Sequence, residues 1–327
     1  MRPFVASNAA ADGSVLTADP MFAAEVREYL ARSPRQLPSK YFYDPLGSAL
    51  FEAICRLPWY RITRAEAMLL ALHAPAIVRP LEMPLTLAEL GCGSGEKLAA
   101  FIDAAARPIA AVHLVDLSAA ALEMATACLS GRPIGRVVTH QRSYEDGLGR
   151  LADPRVGPML LLFLGSNIGN FDPPADEHLL CRIRASLRPG DALLLGTDLV
   201  KPEQDLLLAY DDPLQVTAAF NLNILRRIND ELGGTFDLDA FAHRAIWNVH
   251  ASCVEMHLIS LAAQTVRIAA SDLEIRFEAN ELIWTESSYK YTAAQVLQMG
   301  RDAGFGRAEQ WVDADAAFAL TRFMVED

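Results

Sequence analysis

The chain has 327 residues, 52% of them apolar, enough to bury a large core in one big unit or two of ordinary size. Its net charge of −12 argues against nucleic-acid partners, since phosphates would be repelled and no basic run is present to concentrate positive charge on one face. No apolar run approaches the ~20 residues that span a bilayer, no charged segment followed by an apolar stretch opens the chain, and five scattered cysteines read as reduced thiols, so a soluble, cytoplasmic, monomeric enzyme is the expectation.

Residues 1–20 are rich in Ala, Asp, Ser and Gly without periodicity and are expected to be a loose tail. From Phe22 to about Leu70 the pattern is helical, broken by the aromatic segment Leu37 to Ser48, whose rings can line a pocket. From Leu85 onward, short apolar runs at Leu85–Leu90, Ile109–Val115, Val137–His140, Met159–Leu164 and Ala192–Gly196 alternate with helical stretches such as Ala119–Cys128 and His178–Leu187. That rhythm predicts a parallel sheet buried on both faces. It ends after Leu199. Helical patterns from Pro202 to Leu232 then lead into alternating segments near Ala245–Asn248, Cys253–Ser260, Thr265–Ile268 and Leu273–Phe277, expected to be antiparallel strands with one solvated face. A helix over Ala293–Ala303 and strands near Arg307–Val312 and Phe318–Met324 would complete the first sheet as an antiparallel hairpin. The middle segment reads as an insertion that lids a ligand site.

The loop after the first apolar run carries the strongest chemical signal. Gly91, Gly93 and Gly95 alternate between a strand and the helix that starts at Glu96, a turn that lets a ligand lie against the backbone and face free N–H groups. A phosphate-binding P-loop would need Gly-Lys-Ser/Thr where this chain has Gly-Glu-Lys, and a dinucleotide loop would need a wider glycine spacing. S-adenosyl-L-methionine, with an amino-acid tail in place of a pyrophosphate, is the expected occupant. Asp116, at the end of the next apolar run, is placed to accept both ribose hydroxyls. The competing reading is a surface aspartate that opens the helix at Leu117 or Ser118.

Further along, the polar loop Gly165 to Asn170 follows the fourth apolar run, which puts it at the reactive end of the ligand crevice. Asn170 is a substrate clamp on that reading, or an asparagine in a left-handed turn after Gly169. In Trp284 to Lys290, an extended backbone would put Glu286 and Ser288 on the same side. His243, His250 and His257 recur every seven residues, which on strands sends neighbours to opposite faces, so no metal site is expected. Met256 sits in an alternating run as ordinary core, and Asp211-Asp212 before Pro213 reads as a turn and helix cap.

The strings LPSKYFYDPLGSALFEAICRLPWYRITRAEA, LAELGCGSGEK, FLGSNIGNFDP, LLLGTDLVK, AYDDP, VTAAFNLNIL and IWTESSYK together resemble the histidine-specific Nα-methyltransferases of ergothioneine biosynthesis, from about residue 35 to the C-terminus. The resemblance implies an α/β fold: a Rossmann-like class I methyltransferase sheet at residues 65–200 and 291–327, and a mixed α+β substrate-recognition domain at 21–64 and 201–290. It implies transfer of three methyl groups from S-adenosyl-L-methionine to the α-amine of L-histidine, giving hercynine, without a metal. By the same resemblance Asn170 and Tyr210 clamp the substrate carboxylate, Tyr60, Glu286 and Ser288 bind the imidazole, and Met256 forms a pocket wall. Cofactor contacts fall on Tyr43, Gly91, Gly93, Lys97 and Asp116, with Tyr43 also positioning the amine. One position departs: the family's adenine-binding acid and aromatic pair is Ser143-Tyr144, so a serine replaces the acid. The same fold acting on another amino acid such as tryptophan, and a non-catalytic S-adenosylmethionine sensor, are the rival readings.

Overall fold

The structure, a computed structural model, describes residues 19–151, 155 and 157–326. The expected tail at residues 1–20 lies outside these except at its end, where Asp19 accepts the Met21 N–H and Pro20 begins helix α1 (Pro20–Leu30). An aspartate cap ahead of a proline with its φ preset for a helix is a strong start signal. After a short strand β1 (Arg35–Gln36) and a 3-10 turn over Ser39–Phe42, the same device recurs. Asp44 caps helix α2 (Pro45–Arg56), so the stretch from Pro45 to Ser48, expected to be irregular, is helical. Helix α3 (Ile62–Val78) spans the expected change of unit at residue 64.

Then comes the alternation: β2 (Leu85–Leu90), α4 (Glu96–Ala105), β3 (Ile109–Asp116), α5 (Ala119–Leu129), β4 (Val137–Gln141), α6 (Tyr144–Leu148), β5 (Met159–Phe163), α7 (Ala175–Ser186) and β6 (Ala192–Asp198). Every residue of β2, β5 and β6 is buried, as continuous apolar runs in a two-sided sheet should be. Helices α8 (Glu203–Tyr210) and α9 (Val216–Leu232) lead into β7 (Phe241–Asn248), β8 (Cys253–Ser260), β9 (Gln264–Ile268), β10 (Leu273–Phe277) and β11 (Leu282–Tyr289). The chain closes with α10 (Ala293–Asp302), β12 (Ala308–Asp313) and β13 (Phe318–Met324).

The main sheet has the order β12-β13-β6-β5-β2-β3-β4. All its pairs are parallel except the two made by β13, the antiparallel hairpin expected at the C-terminal end. Because β3 and β5 flank β2 on opposite sides, the chain reverses its winding there, and the crevice at the carboxyl ends of β2 and β5 is where such sheets bind ligands. A second sheet, β1-β11-β8-β7, is antiparallel apart from β1, and β9 pairs with β10. The middle strand β8 is largely buried on both sides, where one solvated face was expected, because β7 and β11 flank it and α8 and α9 pack nearby. No helix among the described residues is long and apolar enough to cross a membrane.

Candidate active site

On the cofactor side, Gly91, Gly93 and Gly95 all take positive φ, 74°, 51° and 76°. A Cβ on Gly91 would lie 2.9 Å from the Tyr144 hydroxyl, and one on Gly95 2.7 Å from the Ala125 Cα, whereas at Gly93 nothing lies within 4 Å. The loop is therefore closed against protein at its ends and open in the middle, where a ligand can reach the backbone. Asp116 stands at the entry to α5, as the competing reading had it, and also ties down the loop: one oxygen accepts the Ser118 N–H at 2.9 Å, the other accepts the Gly93 N–H at 3.2 Å. Its remaining lone pairs suit a pair of vicinal hydroxyls. Two residues before the loop, buried Glu89 has one oxygen without a partner, and burial pushes its carboxyl up to about 8. An open glycine turn beside a free acid and an orphaned buried oxygen fits the ribose and methionine portions of S-adenosylmethionine.

Ser143 is the N-cap of α6, accepting the Asp146 N–H at 3.2 Å, and Tyr144 packs edge-on to Phe163 with centroids 5.3 Å apart. Lys97, in the first turn of α4, pairs with Glu66 of α3 at 2.6 Å. Glu66 is fully buried and also accepts the Gly165 N–H with both oxygens, at 2.7 and 2.9 Å. One carboxylate thus ties α3, α4 and the loop after β5 together.

That loop takes its left-handed residues at Gly165 (φ 74°) and Ser166 (φ 57°), while Asn170 ends a 3-10 turn over Asn167–Asn170. The left-handed asparagine is therefore not what forms. Gly169 is needed for close approach instead, since a Cβ there would lie 2.7 Å from the Tyr289 carbonyl oxygen. Asn170 is exposed, with no side-chain hydrogen bond to the described residues.

The structure brings Tyr60, Asn170, Tyr210, Met256, Glu286 and Ser288 to the lining of one cavity of about 510 Å³, together with Tyr43 and Gly165. Glu286 pairs with Met256 across the β11–β8 ladder, beside a bulge between Trp284 and Glu286. No described residue hydrogen-bonds the Glu286 carboxylate. Burial pushes it up to about 7, against the opposing pull of the Lys290 charge. The Tyr210 and Ser288 hydroxyls are 2.9 Å apart. Tyr43, 39% exposed and with its ring 5.7 Å from Phe51 and 5.8 Å from Phe220, has its phenol pushed above the ordinary range by desolvation and then by the Glu286 charge, the first effect being weakened by that exposure. It is neutral near pH 7.

Several lining or supporting residues were not foreseen. Thr217 offers the cavity a buried hydroxyl with no partner, and Phe51 and Phe220 add rings to its wall. Lys290 lies buried behind Tyr210 and Ser288; the alternation that pairs Glu286 with Ser288 extends to it and could have found it. Nothing local marks Glu66. The histidines do not converge. His243 donates from Nε2 to the Tyr210 carbonyl and accepts at Nδ1 from Asn221, both at 2.8 Å, and His257 contacts Glu255 at 3.1 Å. Asp212 caps α9 as expected, accepting the N–H groups of Leu214, Val216 and Thr217.

A parallel sheet that reverses at its glycine-loop strand, an acid at the tip of the neighbouring strand and an antiparallel final hairpin define a class I S-adenosylmethionine-dependent methyltransferase. Comparison with known proteins narrows the class. The profile of the family described as histidine-specific, S-adenosylmethionine-dependent methyltransferases matches residues 22–325, and the chain belongs to that family. The histidine N-alpha-methyltransferase of Mycolicibacterium smegmatis is 41% identical over 300 residues, which cover 91% of this chain and 92% of its own. That of Mycobacterium tuberculosis is 38% identical over 327 residues, 98% and 99% of the two chains. Ergothioneine biosynthesis protein 1 of Schizosaccharomyces pombe is 25% identical over 307 residues, 88% of this chain but 39% of that longer one.

Proposed function

We propose that this chain transfers three methyl groups in succession from S-adenosylmethionine to the α-amine of L-histidine, giving hercynine for ergothioneine biosynthesis. What carries the reading is the convergence of Asn170, Tyr210, Glu286 and Ser288 on one cavity that meets the cofactor crevice at the Gly165 loop. In this reading residues 21–64 and 201–290 recognise the substrate, and 65–200 and 291–327 hold the cofactor.

The bound cofactor supplies an electrophilic methyl on a sulfonium. The protein's task is then to hold an uncharged amine roughly 3 Å from that carbon and in line with the departing sulfur, with one proton leaving the nitrogen before each transfer. Asn170 and Tyr210 donate to the substrate carboxylate, which fixes the amine. Glu286 accepts one ring N–H while Ser288 serves the other ring nitrogen, and an indole, with a single N–H, no second ring nitrogen and greater bulk, satisfies at most one of the two pairings. Tyr43, neutral, orients the amine lone pair. With Phe51 and Phe220 it also offers aromatic faces to a nitrogen that ends as a quaternary ammonium. Gly91, Gly93, Lys97 and Asp116 hold the methionine and ribose portions, and Tyr144 flanks the adenine with the Ser143 hydroxyl in place of an acid.

Glu286→Ala tests the reading. Its kcat/KM for histidine should fall by roughly one to three orders of magnitude, as for loss of a buried charged contact, with the affinity for S-adenosylhomocysteine unchanged. In competition between equal histidine and tryptophan the product ratio should move toward tryptophan, because a desolvated charge has left the pocket. An unaltered ratio would show that Glu286 does not read the ring.

A further inference from the structure

Lys290 follows β11 directly and its side chain is fully buried. Its ammonium has three hydrogens and no lone pair; it donates to the Ser288 Oγ at 2.7 Å and the Tyr210 Oη at 2.8 Å, and forms an ion pair with the Asp198 Oδ2 at 3.2 Å. Both hydroxyls therefore accept from the lysine. One of their own hydrogens can bridge the 2.9 Å between them, and the other is left for whatever enters the cavity they line. Neither is placed to act mainly as an acceptor toward a ligand.

The charge balance is uneven. Asp198, the carboxylate within ion-pair distance of Lys290 among the described residues, is shared with Lys201, which holds its other oxygen at 2.6 Å. Two ammonium groups face one carboxylate, all three nearly excluded from water. Burying a charge without full compensation is expensive, and the Asp198–Lys201 pair would balance by itself. The other chain acid that feels the Lys290 charge is Glu286, which burial holds toward its neutral form, so the surplus stays open to an anion that enters the cavity one hydroxyl away. This differs from a clamp built of neutral donors alone: the cation is present but stands behind the Tyr210 hydroxyl.

We propose that Lys290 is a positioning residue of the carboxylate clamp, supplying through the Tyr210 hydroxyl the positive charge that balances the substrate carboxylate and so selecting amino acids over their amide counterparts. The inference rests on the assignment of Tyr210 to that carboxylate. Lys290 touches no reacting atom; by donating to the Tyr210 oxygen it favours that hydroxyl as a donor toward the cavity and makes its hydrogen bond charge-assisted at one remove.

The test is calorimetric binding of histidine and of histidinamide, each in the presence of S-adenosylhomocysteine, to the wild-type chain, Lys290→Met and Lys290→Gln. Both variants leave Asp198 paired with Lys201, and Lys290→Gln also keeps a donor for the hydroxyls should the methionine variant fail to fold. Wild type should prefer histidine over histidinamide by about tenfold or more, the span of a charge-assisted contact. In either variant that preference should shrink several-fold, with S-adenosylhomocysteine binding unchanged. If both ligands weaken together and the preference survives, Lys290 only shores up the fold and the inference is overturned. If wild type shows no preference, the carboxylate assignment of Tyr210 fails first, and the role of Lys290 falls with it.

Discussion

Glu286 is held in a state that suits a ligand better than it suits the folded chain alone. Burial raises its carboxyl to about 7, above the ~4.3 of an unfolded chain. A carboxyl whose folded value is raised adds stability that is complete below the unfolded value and is lost as pH rises through the folded one. Between about pH 4.3 and 7 the wild-type chain should therefore lose stability at this position. Glu286→Gln, uncharged throughout, is expected to melt higher than wild type at pH 8, by an equivalent of roughly 1–3 kcal/mol, and to match it near pH 5. Equal melting differences at the two pH values would contradict the assignment of burial as the cause. The residues of this pocket were unevenly legible. Glu286 and Ser288 follow from strand alternation, and Lys290 continues it. Glu66 did not, because it reaches the loop from 99 positions away, and contacts made only by folding leave no local trace.

At the scale of elements, the glycine loop separates two demands that a sequence motif merges. Gly95 is boxed in by α5, so Gly95→Ala must both strain a φ of 76° and displace the Ala125 backbone. Gly93 has equal need of a positive φ but faces open space. Gly93→Ala should cost about 1–2 kcal/mol of stability, the penalty for a left-handed non-glycine residue, and should block the cofactor where its methyl enters the crevice. Gly95→Ala should cost more in stability and lose binding as well. Thermal melts of the free proteins, paired with S-adenosylhomocysteine titrations, separate the two; equal melting losses would mean that the loop's contact with α5 is unimportant. The buried strands were readable because a parallel sheet covered on both faces demands continuous apolar runs. The start of α2 was not, because Pro-Leu-Gly-Ser looks like a turn when the capping Asp44 ahead of it is overlooked.

Across the whole molecule, the two sheets share one apolar core, which takes in Leu87 and Leu160 of the main sheet with Val254, Leu258 and Ile283 of the second, and polar ties run beside it. Glu66 links α3 to the Gly165 loop, Ser166 receives the Asp198 N–H, and Asp198 in turn receives Lys290 from the far side of the substrate cavity. On the proposed reading the cofactor crevice and the substrate cavity share the Gly165 loop as a wall, as an in-line transfer between two bound molecules requires. The general plan of the main sheet could be read from the sequence, but the way the second sheet lays Glu286 and Ser288 against the Gly165 loop depends on long-range packing that periodicity does not encode. The most direct measurement is mass spectrometry of the products formed when the chain is incubated with S-adenosylmethionine and an equimolar mixture of histidine, tryptophan and the other protein amino acids. Histidine carrying three methyl groups on its α-nitrogen should accumulate as the dominant product; methylation of another amino acid in preference, or of the imidazole ring, would contradict the proposed recognition of histidine.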